Sequence, residues 1–506
     1  MVRKFSTTRL ALPPFPWLVL ALFLLFLVPS TSQARNAATA YPNFKIAVIM
    51  LTFSDNPAKP NVYGTATPLT KAYAQGELFD NANSMAAFYN ELSNGQVTVS
   101  GDVYDNAGQW YDTSRPSPTV DDCDLTSYYT RAMAAADADI DYTQYNTVML
   151  ITPWHGCTTG GLAASMPVPD NGATYGFIDV SGAFEKIPHH ELGHLIGWGH
   201  ANSWQCTAPG VLTGSNCAAV EYADRFSVMG VSPRMLIPAA PHLEAQGWLE
   251  PTEITTVSAD GDYTIQAYES ANALPKVLKI PQARDASGNI TNWYYLEYRQ
   301  PVSYDNIART PTIQELGVPN GALVHWAAVS NPDVTTTLLD MTPGTLGRQD
   351  IFDPALPLGY SYTDAAAGVG FGVLARTATT MTIRVKFSTA SLCILKAPTV
   401  TIKSVKGAGK PGQELRYDVT VKNNSVLCGK QSVELLTRKA PTGWKVTIDR
   451  KKASTVIVTS GQTQKYIVRL TSPKKSKYQK YTFNLETRLA KKPSYKKAFT
   501  LKPVIR

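Results

Sequence analysis

Residues 190–200 read HELGHLIGWGH, and this stretch decides how the first half of the chain is interpreted. His190 and His194 are four positions apart, so a helix places both imidazole rings on one face. Two neutral imidazoles on one helix face are a common pair of Zn²⁺ ligands. Glu191 is offset by one position, so its carboxylate lies beside the metal, where it can accept a proton from a metal-activated water.

The end of the motif predicts a third ligand. Gly197 can adopt the left-handed backbone conformation that other residues avoid, and this lets the chain leave the helix sharply. Such a turn can bring His200 back toward the first two histidines. Three protein ligands leave one coordination position open for water, as hydrolysis requires. The sequence therefore predicts one catalytic Zn²⁺ on His190, His194 and His200; it gives no indication about Ca²⁺.

Strand-like and helix-like segments alternate along the chain before this motif. Residues 44–53 and 146–152 are continuous apolar runs, which are typical of buried strands. Residues 96–104 alternate in polarity, as a half-buried strand does. A segment with helical spacing follows each of these strands, and the motif lies on the last one. The pattern predicts an α+β fold for residues 41–250, a mixed sheet with long helices.

The pattern changes after residue 250. Short strand-like runs separated by Gly, Pro, Asn and Asp predict a β-rich domain over residues 251–390. Residues 394–506 contain seven or eight further short runs at regular spacing, which predicts an immunoglobulin-like β-sandwich.

The charges divide the chain in the same way. Residues 391–506 carry 26 Lys and Arg against 5 Asp and Glu, whereas residues 41–390 carry 17 against 34. The basic C-terminal domain predicts an electrostatic partner such as an anionic cell-surface or cell-wall polymer. The alternative is a lysine-rich, solvated face on a spacer domain. No nucleic-acid partner is expected, because the sequence contains no recognised nucleic-acid-binding motif.

Composition and cysteine content narrow the class of protein. With 44% hydrophobic and 17% charged residues among 506, the chain is neither a disordered polyelectrolyte nor a multi-span membrane protein. The six cysteines are an even number, which fits an oxidising compartment, and none stands in a Cys-x-x-Cys spacing. Proximity in sequence predicts three disulfides, Cys123–Cys157, Cys206–Cys217 and Cys393–Cys428.

The N-terminus predicts export. Basic residues precede an apolar run over residues 17–28, and small residues follow it, as in a cleavable signal peptide. We expect a signal peptide over residues 1–34, with cleavage as late as residue 40. The alternative, an uncleaved membrane anchor, is disfavoured because a spanning helix needs about 20 apolar residues. The protein is therefore expected to be secreted, with association at a cell surface as a further option.

A methionine downstream of the motif points to a known clan. Met229 follows in the sequence Ser-Val-Met-Gly, and the metzincin peptidases combine the long histidine motif with a Met-containing turn under the metal. The sequence resembles that clan. Residues 221–230, EYADRFSVMG, resemble the approach to this turn in gametolysin (autolysin)-like peptidases, although Ala223 stands where that family usually has Gly. Residues 53–57 and 247–249 resemble the same family.

This resemblance implies a metzincin-like catalytic domain and a secreted zinc endopeptidase acting on a protein or glycoprotein, with Met229 as a floor beneath the ligands. Residues 400–490 resemble the Ig-like accessory domain behind some secreted glycosidases and peptidases. Two other functions compete: a hydrolase of cell-wall amide bonds, and a surface-binding protein with a vestigial metal site. Tyr222 and His189 are candidates to assist the oxyanion, while His155 and His242 carry no motif and are interpreted as structural.

Overall fold

The described part of this computed structural model comprises residues 43–506 except 63–64, 120, 158–159, 168–173, 183, 207–216, 232–234, 271–272, 306–316, 329–333, 344, 346–351 and 450–453. The predicted signal peptide over 1–34 and its cleavage points lie outside these residues. Among the helices of the described segments, none is long and apolar enough to cross a membrane.

A six-stranded sheet forms the first part of the fold. Its strands are β1 Asn43–Thr52, β2 Thr98–Tyr104, β3 Tyr111–Asp112, β4 Thr147–Ile151, β5 Gly161–Pro167 and β6 Thr174–Val180. They are ordered β2-β1-β4-β6-β5, with β3 paired to β1, and only β5 runs antiparallel to its neighbour. From Ile46 to Leu51 β1 is apolar because alternate residues enter two different cores, Ile46 and Val48 on one face and Ala47 and Ile49 on the other.

Five α-helices lie among the described residues. They are α1 Lys71–Gln75, α2 Met85–Leu92, α3 Leu125–Ala136, α4 Ile187–Ile196 and α5 Ala240–Ala245. The predicted α+β class with long helices is wrong, since strands make up 46% and helices 14%, and the longest α-helix among the described residues has 12 residues. Residues in the left-handed backbone conformation follow two of these helices closely. Asn94 and Gly95 take positive φ just after α2, and Gly197 takes positive φ at the end of α4.

An eight-stranded sheet combines strands that follow the motif directly with strands from the region after residue 250. Its strands are β7 Trp198–Cys206, β8 Cys217–Val220, β9 Ile254–Thr256, β11 Val277–Arg284, β12 Ile290–Glu297, β13 Gly321–Ala328, β14 Val334–Leu339 and β15 Leu356–Pro357. Their order is β8-β7-β14-β13-β12-β11-β9, with β15 paired to β13. β7 begins directly after the motif helix and pairs in parallel with β14. The domain boundary at residue 250 stays a prediction, and this one sheet spans it.

A second sheet covers the first in this region. It consists of β10 Gly261–Gln266, β16 Ser361–Asp364, β17 Val369–Arg376 and β18 Thr380–Lys386, in the order β10-β18-β17-β16. One apolar core joins the two sheets, with Leu278 and Leu296 from the eight-stranded sheet against Phe371 and Ile383 from the smaller one.

The last region is built from two four-stranded sheets and a short pair. The strands are β19 Thr399–Lys406, β20 Ala408–Gly409, β21 Glu414–Lys422, β22 Lys430–Lys439, β23 Lys445–Ile448, β24 Ser454–Thr459, β25 Thr463–Thr471, β26 Phe483–Leu489, β27 Lys492–Leu501 and β28 Val504–Ile505. The sheets are ordered β19-β21-β25-β23 and β24-β22-β26-β27, and β20 pairs with β28. Val419 and Val468 of the first sheet share a core with Val433 and Leu485 of the second.

The three predicted disulfides are confirmed. Cys206–Cys217 closes the hairpin of β7 and β8, in which the two cysteines are direct cross-strand partners. Cys123–Cys157 and Cys393–Cys428 each join segments about 35 residues apart, with sequence separations of 34 and 35. No free cysteine is left in the chain.

Candidate metal centre

The structure brings the three motif histidines together. His190 and His194 project from α4, and His200 comes from β7, four residues after the helix ends at Ile196. One ring nitrogen from each histidine can be chosen so that all three lie within 4.8 Å of one another. The triad could hold a metal ion, with His190 buried and the other two half-buried.

Hydrogen bonds fix the orientation of each ring. Nδ1 of His190 donates to the carbonyl of Val228 at 2.9 Å, and Nδ1 of His194 donates to the carbonyl of Trp198 at 2.7 Å. A carbonyl only accepts, so in the neutral rings Nε2 carries the lone pair. Nδ1 of His200 lies 2.7 Å from the Glu221 carboxylate. Ligand histidines in metal sites typically make this kind of outer bond.

The two helix histidines point their Nε2 atoms at each other. These atoms are 3.1 Å apart. Burial, with the neighbouring His194 as the next cause, lowers the pKa of His190 to about 3, which disfavours a shared proton. Two Zn–N bonds of about 2.1 Å at a tetrahedral angle place their nitrogens about 3.4 Å apart. The spacing therefore fits two ligands of one cation.

The helix exit has the conformation that the third ligand requires. Gly197 adopts φ 100° and ψ 20°, and its N–H bonds back to the carbonyls of Gly193 and His194. β7 starts at the next residue. A side chain at Gly197 would be strained in this left-handed region, so the glycine permits the reversal that returns His200 to the helix.

Glu191 is buried beside the triad, against the edge of the six-stranded sheet. A Cβ added to Gly161 of β5 would stand 2.3 Å from Glu191 Oε1, so the missing side chain makes room for the carboxylate. Burial is the main cause that raises the pKa of Glu191 to about 8; Asp179 raises it further, and Lys186 opposes the shift. A buried carboxyl group is the type of proton acceptor that a general base requires.

Met229 lies directly under the motif helix. Its side chain is fully buried, and a Cβ added to Gly193 would stand 2.5 Å from its Sδ. The turn is tied to β7, since the Ala201 N–H donates to the Met229 carbonyl at 2.8 Å. Met229 thus packs beneath the helix against Gly193, between His190 and His194.

A series of buried ion pairs supports the segment that leads into this turn. Asp224 accepts from the Phe226 N–H at 2.8 Å, and its other oxygen lies 3.0 Å from His325 Nε2 on β13. Nδ1 of His325 lies 2.8 Å from Glu297 on β12, and Glu297 pairs in turn with Arg299 at 3.0 Å. These ion-pairing side chains are 0–2% exposed. The segment after residue 250 thus supports the turn under the metal site.

Sequence reasoning did not identify His325. It is a single histidine in the apolar strand GALVHWAA, and its partner Asp224 is 101 residues away in the chain. A lone charged or polar residue facing inward on an apolar strand predicts a buried partner. Nothing in the pattern indicates which carboxylate that partner is.

We expect the stability contributed by His325 to depend on pH. Burial alone would lower its pKa, but the carboxylates of Glu297 and Asp224 outweigh it and raise the pKa of His325 from 6.5 to about 9. The protonated ring therefore stabilises the fold fully below pH 6.5, and this contribution is lost as the pH rises through 9. His325→Ala leaves the buried Asp224 carboxylate without its cation, while Glu297 keeps Arg299, and should destabilise the fold by about 3–5 kcal/mol.

Urea unfolding of metal-free protein at pH 6.5 and 9.5 measures this effect. The matched control is His325→Gln, which keeps a hydrogen-bonding side chain but cannot be protonated. Wild type should lose more stability than His325→Gln between the two pH values. An equal loss in both proteins would contradict a charged His325.

Burial separates the remaining histidines, which are structural, from Tyr222, which lies at the site. His155 Nε2 lies 2.9 Å from Asp179, and His242 Nε2 donates to a backbone carbonyl, so both sit in buried structural bonds. His189 is buried with its ring on Phe88, so it is not an oxyanion candidate. Tyr222 is 40% exposed, and its ring centroid is 3.8 Å from that of His200, so it stays at the site.

Comparisons with known proteins do not assign a family. No protein-family model matches the sequence, and no curated protein matches it. The CARDB domain of a Pyrococcus furiosus protein, solved in complex with di-metal ions, is 17% identical over 22% of this chain and 90% of that chain, with a TM-score of 0.17. A PapD-like domain of human CEP192 is 15% identical over 20% of this chain and 80% of that chain, with a TM-score of 0.14. The Yersinia pseudotuberculosis adhesin InvE is 10% identical over 36% of this chain and 53% of that chain, with a TM-score of 0.16. At these TM-scores the similarities carry no argument about the histidine site.

Proposed function

We propose that this protein is a secreted, zinc-dependent endopeptidase of the gametolysin-like type, with Glu191 as the general base. The observation that carries the proposal is the convergence of His190, His194 and His200 on one point, with the buried carboxyl group of Glu191 next to His190 in the sequence. The three disulfides support an oxidising, extracellular destination. The resemblance of residues 221–230 to the Met-turn of that family is an independent support.

Zinc is proposed as the metal because three imidazoles suit it, and a carboxylate-free triad is a poor site for Ca²⁺ or Mg²⁺. When bound, Zn²⁺ would polarise the peptide carbonyl and acidify a water molecule. Glu191 accepts the proton of that water and delivers it to the leaving amine. His190 and His194 would direct their Nε2 lone pairs toward the metal, because their Nδ1–H groups are held by backbone carbonyls.

The position of β5 favours a peptide substrate. In the order of the six-stranded sheet, β5 is a terminal strand, so within the described residues its outer edge has no strand partner. Gly161 of this strand touches the Glu191 carboxylate. An extended peptide can add to such an edge through main-chain hydrogen bonds, and its scissile bond would then pass the proposed base.

A digestion assay on the purified full-length chain tests the function. We expect cleavage of casein, complete loss of cleavage after zinc chelation, and recovery when one equivalent of Zn²⁺ is restored; mass spectrometry of the fragments locates the cut bonds. Peptidoglycan is the matched second substrate. Release of peptidoglycan fragments with intact casein would replace the proposal with a cell-wall amide hydrolase. Metal binding without hydrolysis of either would indicate a vestigial site.

A further inference from the structure

Beyond the proposed hydrolysis, the C-terminal region contains a second candidate site that the metal chemistry does not use. Three backbone segments run side by side there: residues 406–412, 474–480 and 502–506. The Val504 N–H donates to the Gly407 carbonyl at 2.9 Å, and the Ile505 N–H donates to the Gln479 carbonyl at 3.0 Å. The middle segment of this strip is therefore 502–506, flanked by the other two.

The strip, which we call the basic ribbon, collects cations that are distant in sequence. Its charged residues are Lys406, Lys410, Lys474, Lys475, Lys477, Lys480, Lys502 and Arg506, and all eight are exposed. The three segments contain no acidic residue. Lys474 also reaches back to the first segment, since a Cβ added to Gly412 would stand 3.3 Å from its Cγ. Charges up to 100 residues apart in the sequence thus lie on neighbouring segments.

The acidic residues of this region do not neutralise the ribbon. Glu414 pairs with Arg469, Asp418 with Lys465, Glu434 with Arg488, and Glu486 with Arg438. Asp449 accepts the Ile467 N–H. All five acidic groups of residues 391–506 are therefore engaged by partners outside the ribbon, so none of them neutralises its positive charge.

The ribbon also has a shape and polar groups suited to a carbohydrate chain. Beside it lies an open cleft of about 650 Å³ lined in part by Lys406, Lys502 and Arg506, with the hydroxyl-bearing side chains of Ser404 and Tyr417. Tyr478 is 75% exposed between Lys477 and Lys480, which offers an aromatic face for a sugar ring. Neighbouring extended segments are about 4.8 Å apart, so the strip is narrow and elongated, as a linear polymer requires.

We propose that the basic ribbon and its cleft bind a linear acidic polysaccharide. The cations engage its carboxylate or sulfate groups, and the tyrosine and serine groups contact the sugars. This site would hold the enzyme at an anionic extracellular matrix while the histidine centre remains free. The binding is independent of the metal, so its failure and the failure of the proposed hydrolysis are separate results.

Binding of the full-length protein to immobilised polygalacturonate and to heparin tests this inference. Retention is expected at 0.05 M salt and its loss at 1 M, because the screening length falls to about 3 Å at 1 M. The triple variant Lys406→Glu, Lys480→Glu, Lys502→Glu should weaken binding roughly tenfold or more. The matched control Lys422→Glu, Lys439→Glu, Lys445→Glu changes net charge equally on other exposed positions and should leave binding within about twofold.

Three results would overturn the proposal. They are no retention at low salt, equal weakening by the two triple variants, and equal or tighter binding to DNA or to vesicles containing phosphatidylserine. The last would assign the ribbon to another class of anion. If the glutamate variant does not fold, as judged by thermal melting, Lys→Gln at the same three positions replaces it. The zinc content of each variant should match that of wild type.

Discussion

Glu191→Ala is expected to retain one zinc ion and the native fold while peptide hydrolysis falls by about 10²–10⁴-fold or more. The carboxylate is buried beside the triad and does not belong to it, so its removal takes away the proton acceptor and leaves the three ligands in place. Folding is not expected to suffer, because burial already penalises the charged form of this group and raises its pKa to about 8.

The measurement combines steady-state cleavage of a casein-derived peptide with elemental analysis of zinc on the same sample. Glu191→Gln tests the charge without changing the volume that Gly161 accommodates, and it should be nearly as inactive. Glu185→Gln is the control, since it removes a carboxylate six residues upstream that bonds to Tyr73. A Glu191→Ala protein that cleaves at the wild-type rate would show that the base has been assigned to the wrong residue.

The second large effect concerns the metal itself. His194→Ala should reduce bound zinc from about one ion per chain to nearly none and abolish cleavage, because two imidazoles alone make a weak, open site. His194 is the central ligand: its Nε2 is 3.1 Å from that of His190, and its ring centroid is 4.9 Å from that of His200. The loss of metal is read directly by elemental analysis and does not depend on activity.

His189→Leu provides the matched control for this variant. That ring is also on α4 but packs in the core against Phe88, so an apolar replacement should keep the zinc. Retention of a full zinc equivalent by His194→Ala would contradict the ligand set. Loss of zinc in His189→Leu at unchanged thermal stability would do the same, since it would make the buried neighbour the ligand.

Local patterns predicted the histidine triad well because its geometry is local. Four-residue spacing places His190 and His194 on one helix face, and Gly197 reverses the chain, so only His200 had to come from outside the helix. The disulfide Cys206–Cys217 could be predicted equally well, because cysteines that are close in sequence can pair across a hairpin. Whether these residues act as proposed remains for the assays above.

The fold class could not be obtained in the same way. Most of the strand content depends on pairings between distant segments, such as Ala201 of β7 with Thr336 of β14. Periodicity located α2, α3 and α4 but gave no indication of α1 and α5, and the apolar runs after residue 250 gave no indication that they join the sheet of the motif strand. The hydrogen bond between Asp224 and His325 could not be predicted for the same reason, because it joins positions 101 residues apart.

The parallel pairing of β7 with β14 has a consequence for how such a gene can change. The strand that carries His200 obtains its neighbour from residues 334–339, well past the point where the predicted peptidase portion stops. A recombination event that copied only the first half of the gene would give a protein in which the strand of His200 lacks its partner strand β14. The histidine triad of this chain is therefore inherited together with its middle region, whereas the basic C-terminal sheets can be exchanged or lost without removing a residue from the triad.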